Sequence, residues 1–283
     1  MVIKKQKVMH LKSVAIYLLL LSAMICFGQD KTTTSKKELN SGSAAPKQSE
    51  QRTASSNSTF SSDDFDLWLF IFKITLGIGY YGGIGDYNKE EHLISNLTIY
   101  PYFDRESGNY ESEDSIQIYK SRMRLDIEDS FLYSSSNLIG NHLKVKLRPF
   151  QYFYIQSDFH QLFEFNKINE TYDQLTIFQF NVCYDRLRFD TFNLGWTLGA
   201  TYIGNEVRKT GFAYGLNAEY FMGNNISLMG AAKWSSINTL PVNNYEMQLR
   251  YHTKNHFFSL GFEHFKIATP TYNFIAIGAG IYF

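Results

Sequence analysis

The chain has 283 residues, with 27 basic and 27 acidic side chains, so its formal charge is zero. That balance argues against a general nucleic-acid binder, which carries a basic excess, and the slightly negative mean hydropathy argues against a bundle of membrane helices. Aromatic residues reach 17%, with 24 Phe and 20 Tyr against five Pro, a composition suited to a sheet with one apolar face. The two cysteines, Cys26 and Cys183, build neither a zinc spacing nor a disulfide framework. No phosphate-loop or dinucleotide motif is present, so no metal and no cofactor is expected.

Residues 1–28 read as a signal peptide. Lys4, Lys5, Lys7 and Lys12 form a basic start, and SVAIYLLLLSAMICF an apolar core. Cys26 and Gly28 stand at the small-residue positions before a cut, which leaves Gln29 as the mature start. Residues 29–62 are mostly Ser, Thr, Lys, Gln, Asn and Glu. With so little to bury, they read as a disordered periplasmic linker.

The third unit, residues 63–283, carries the fold. From Leu67 onward the pattern has period two, the period of a half-buried strand. In YKSRMRLDIEDSFLY one face carries Met123, Leu125, Ile127 and Phe131, while the other carries Lys120, Arg122, Arg124, Asp126 and Glu128. In HLKVKLRP the faces are Leu143, Val145 and Leu147 against Lys144, Lys146 and Arg148. The same alternation recurs to the last residue, and predicts about twelve antiparallel strands. They fall near 67–81, 93–103, 116–134, 141–149, 151–165, 174–188, 193–204, 210–222, 225–236, 244–253, 256–266 and 272–283. Short separators such as MGNN and TKNH alternate with longer ones such as NKINETYD and IGNEVRK.

The last strand, NFIAIGAGIYF, puts Ile275, Ile277, Ala279, Ile281 and Phe283 on one face. A chain that ends on an alternating apolar strand must pair it along its length, and closing a sheet into a barrel does this. Here the sequence resembles bacterial outer-membrane β-barrel proteins. The resemblance implies an all-β antiparallel transmembrane barrel in the outer membrane of a Gram-negative bacterium. It implies contact with outer-membrane lipid and lipopolysaccharide, and recognition of Phe283, Ile281 and Ile277 by the barrel-assembly machinery. The CFGQ junction resembles Bacteroidetes-type signals.

In such a barrel the polar face lines the lumen. The lining residues read from the pattern are Lys120, Arg122, Arg124, Asp126, Glu128, Lys144, Lys146, Arg148, Asp158, Glu219, Glu246, Arg250 and Glu263, with His160, Glu164 and Lys233 on the same faces. Strands 193–204, 210–222 and 272–283 present mainly Gly, Ala and Thr inward. Three readings stand side by side: a closed structural barrel whose charges pair across the lumen, a narrow porin-like channel for small polar or anionic solutes, and an outer-membrane lipid hydrolase. The third needs a serine beside a base. His160 and His264 have no serine placed beside them by spacing, so no catalytic residue is expected. Oligomeric state is open. Tyr202, Tyr220, Trp234 and Tyr251 read as interfacial aromatics.

Overall fold

The computed structural model describes residues 31–42, 79–80, 82–103, 108–112, 123–135, 137–166 and 170–283. The signal-peptide reading of 1–28 lies outside these residues, as do the lumen positions Lys120 and Arg122.

A helix, α1 (Lys31–Ser41), comes first. A short ribbon follows, in which β1 (Ser95–Leu97) pairs antiparallel with β2 (Tyr110–Ser112). The body of the molecule is β3 (Arg124–Ser135), β4 (Leu138–Arg148), β5 (Phe153–Asn166), β6 (Thr171–Phe189), β7 (Phe192–Ile203), β8 (Lys209–Met222), β9 (Ile226–Ile237), β10 (Leu240–Thr253), β11 (His256–Ile267) and β12 (Thr271–Tyr282). Each strand pairs antiparallel with the next, and β12 pairs with β3, so the ten form a closed barrel. Phe283 completes the seam: its N–H donates to Leu125 O at 2.8 Å, and the Leu125 N–H donates back at 3.0 Å.

The barrel therefore has ten strands, where the alternation predicted about twelve. Of the expected strand 67–81, only residues 79–80 are described, and they are helical. The expected strand 93–103 contributes only β1, which lies outside the barrel; turns occupy the stretch around Pro101. Proline cannot donate to a ladder, which is why the alternation stops there.

The connections also differ from expectation. They are short at both mouths. Asp190–Thr191 and Lys254–Asn255 join strands at the mouth that holds Arg124 and Phe283, here termed the seam mouth. Asn238–Thr239 does so at the opposite mouth, with φ of 51° and 67°, the left-handed pair that a two-residue hairpin requires.

Outward side chains are apolar and exposed: Phe212 65%, Phe258 61%, Ile277 61%. Aromatics gather in two bands. Tyr133, Tyr172, Tyr202 and Tyr214 lie toward one mouth, and Phe153, Phe189, Tyr220 and Tyr251 toward the other. Inward side chains are polar along most of the height and buried. The usual inside-out order of a soluble protein is reversed, as a closed sheet in lipid requires.

α1 departs most from the sequence reading. Residues 29–62 read as a disordered linker, yet Lys31–Ser41 form a helix and cap the mouth opposite the seam. The buried residues of α1 are Thr32, Ser35, Lys36 and Leu39, spaced as one helical face. Three of the four are polar, so no hydrophobic periodicity announces the face. Glu164 of β5 caps the helix start, accepting from the Lys31 N–H at 3.1 Å and the Thr32 N–H at 2.8 Å. Lys209 Nζ meets the last carbonyls, of Leu39 at 3.2 Å and Asn40 at 3.1 Å. An anion at the N-terminus and a cation at the C-terminus both complement the helix dipole. Lys36 pairs with Asp173, and Leu39 packs in an apolar cluster with Leu132, Leu162, Ile203 and Phe274.

Candidate functional site: the charged barrel interior

Alternation carries every second residue of each strand inward, so a polar-faced strand delivers a column of charge. Register then decides which columns meet. Glu128 stands opposite Lys144, and Lys144 opposite Asp158. Arg124 stands opposite Arg148, a like-charged pair. Each of these two arginines has its own carboxylate, described below.

From the seam mouth inward there are three levels. In the first, Arg124 binds Asp126 through Nε at 2.8 Å and Nη2 at 3.0 Å. Arg148 binds Asp185 at 3.0 Å, and the Tyr110 hydroxyl donates to the same carboxylate at 2.7 Å. β1 and β2 thus sit against the barrel end by way of its charges, with Asn109 accepting from Arg124 at 2.9 Å. In the second level, Arg250 joins Glu128 at 2.6 Å and Glu219 at 3.4 Å, while Lys144 joins Glu246 at 2.5 Å and Glu128 at 3.8 Å. Ser259 donates to Glu128 at 2.9 Å. In the third, Asp158 takes Lys233 and accepts from Gln156 at 2.9 Å. His142 lies between Asp158, 3.2 Å from Nε2, and Glu263, 2.7 Å from Nδ1. Beyond this level the apolar cluster under α1 closes the barrel.

Of the positions read from sequence, Arg124, Asp126, Glu128, Lys144, Arg148, Asp158, Glu219, Glu246, Arg250 and Glu263 are all buried inside the barrel. Lys146 is half-buried, faces the Tyr154 ring at 5.9 Å and has no ion-pair partner among the described residues. Ile277 and Phe283 lie on the outer face, exposed, and Ile281 is half-buried. Sequence reasoning missed His142, and it put His252 on the polar face of its strand without singling it out. His142 shares the parity of Lys144 and could have been found from it; His252 shares that of Arg250.

The small inward wall of β7, β8 and β12 leaves little void. Two cavities lined by these side chains measure about 20 and 10 Å³, room for roughly one water each. Neighbouring side chains take up the rest. A Cβ at Gly280 would run into the Phe257 ring, and one at Gly278 into Ser130.

Two groupings bear on catalysis. His264, on the outer face, bonds Asn273 at 2.6 Å, and among the described residues no serine hydroxyl bonds it. Ser227 and His252 do form a nucleophile–base contact, Oγ to Nε2 at 2.8 Å. Both are fully buried, the Ser227 hydroxyl also lies 3.1 Å from Glu219, and the Tyr102 ring covers His252 at 5.3 Å. A substrate has no approach to this pair. At the seam mouth, Glu90 is held below the usual carboxylate range, first by the Asp86 N–H and also by Arg186 at 2.9 Å. Nearby His92 is held below the usual imidazole value by burial.

A closed antiparallel sheet with an apolar exterior and an ion-paired interior has the architecture of a transmembrane β-barrel. No family model and no curated protein matches the chain. Among solved structures, it is similar to the outer membrane protein Ail of Yersinia pestis, at 12% identity and a TM-score of 0.33, over 58% of this chain and 100% of that one. It is similar to the KdgM porin at 8% identity and 0.34, over 56% and 98%. It is also similar to the N-terminal barrel domain of Pseudomonas aeruginosa OprF at 10% identity and 0.30, over 58% and 100%. Scores this low carry no argument about this chain, and the barrel stands on its own strand pairing.

Proposed function

We propose that the protein is an integral barrel of the bacterial outer membrane that is sealed, serving there as a structural element and not as a pore. The observation that carries this reading is the interior itself. Three levels of buried ion pairs surround cavities of about 20 and 10 Å³, α1 covers one mouth, and residues 82–103 and 108–112 pack on the other. The apolar, aromatic-banded exterior and the signal-like residues 1–28 support the location. The surroundings are then outer-membrane lipid and lipopolysaccharide, with the assembly machinery engaged through the last strand. Conductance in planar bilayers tests it: folded protein should be silent. Steady single-channel steps from folded wild type would overturn the sealed reading in favour of a narrow pore.

A further inference from the structure

The third level of the interior holds a grouping that the ion-pair network does not account for. Glu263 is fully buried, yet among the described residues no Lys or Arg lies within ion-pair distance of it. Its partners are His142, at 2.7 Å, and His160, whose Nε2 is 3.4 Å from Oε2. His160 is also fully buried, and among the described residues neither of its ring nitrogens has a hydrogen-bond partner; Glu263 Oε2 has none either. A buried carboxylate without a Lys or Arg and a buried imidazole whose ring nitrogens make no hydrogen bond are each costly. Here the two unmet demands face each other.

We propose that His142, His160 and Glu263 bind one divalent transition-metal ion of the zinc class. Their donor atoms all lie within 4.8 Å of one another. Around a tetrahedral ion with ligands at about 2.0–2.1 Å, donors stand roughly 3.3 Å apart. His142 Nδ1 is 2.7 Å from Glu263 Oε1 and His160 Nε2 is 3.4 Å from Oε2, so each imidazole nitrogen faces its own carboxylate oxygen. The outer partners have the expected form as well. A metal-bound histidine gives its other ring N–H to a carboxylate, and His142 Nε2 is 3.2 Å from Asp158. Asp158 is itself fixed by Gln156 and Lys233. Two imidazoles and one carboxylate suit zinc, cobalt, nickel or copper better than magnesium or calcium, and leave a fourth position to water. A proton on His142 would supply Glu263 with a cation too, but it would leave both nitrogens of His160 unmet. The three donors come from β4, β5 and β11, so no sequence spacing reveals the site. The closed barrel admits the ion only as it forms.

The test is to refold the denatured protein in detergent with Co²⁺ or Zn²⁺, confirm the barrel by heat-modifiable gel mobility, and exchange it into metal-free buffer. Wild type should keep about one ion per barrel, with the visible bands of tetrahedral Co²⁺; Glu263→Gln and His160→Gln should fall below about a tenth of that. Lys254→Gln, in the turn at the seam mouth, should keep its ion. Folded wild type that retains no metal would overturn the proposal, whatever the variants do. So would equal retention by wild type and a folded His160→Gln.

Discussion

Lys144→Met is the sharpest probe of the sealed interior. Lys144 Nζ lies 2.5 Å from Glu246 and 3.8 Å from Glu128. The substitution keeps the stem and removes the charge. Glu128 stays paired, because Arg250 is 2.6 Å away. Glu246 has no other ion-pair partner among the described residues, so one buried carboxylate is left uncompensated. Breaking a buried pair in this way costs about 3–5 kcal/mol. With a slope of about 2 kcal/mol per molar urea, the unfolding midpoint falls by roughly 2 M. The assay is urea unfolding of the barrel in micelles, followed by tryptophan fluorescence. The double variant Lys144→Met/Glu246→Leu should recover most of the loss, since replacing both charges of a buried pair is often neutral. In a wet channel the same pair would be worth at most about 1 kcal/mol. A single-variant loss below that, with no recovery in the double variant, would refute the sealed interior.

Two further outcomes follow from the packing. Leu39→Ala removes a fully buried side chain from the cluster under α1, at a cost of about 2–5 kcal/mol, so amide exchange across residues 31–42 should speed up while the barrel strands stay protected; unchanged exchange would refute the docking. Deleting Phe283 removes both seam hydrogen bonds to Leu125 and should lower the heat-modifiable, assembled fraction, whereas equal levels to wild type would argue against a role in closure.

The barrel was legible because its signal is geometric. Period-two alternation runs through the strands from Arg124 to Phe283, broken in β6 by the register shift between Asp185 and Leu187, and parity alone assigns Asp126, Glu128, Lys144 and Asp158 to one side of the sheet. Strand number was less legible, because the short alternation at 93–103 supplies only the three residues of β1, which pair outside the barrel. α1 was hidden for a different reason. Its buried face is Thr32, Ser35, Lys36 and Leu39, and its partners are Glu164, Asp173 and Lys209, far away in sequence. The histidine grouping needs the register of β4 against β5 and the curvature that brings β11 across the lumen. Parity supplies neither.

A ten-stranded barrel is wider than the eight-stranded kind that side chains fill and narrower than the sixteen-stranded kind that conducts. Whether it seals then depends on what its walls carry. β3, β4 and β5 carry long charged groups, and β7, β8 and β12 carry Gly, Ala and Thr. Read along the sequence, the small wall looks like a passage. In the folded barrel it is the room into which the long side chains and rings extend, as Phe257 does against Gly280. Three of the charges that reach across meet an opposite one supplied by a different strand: Lys144 meets Glu246 of β10, Arg148 meets Asp185 of β6, Asp158 meets Lys233 of β9. The pairs therefore act as cross-ties as well as filling, since none can separate without leaving a charge buried on both sides of the lumen.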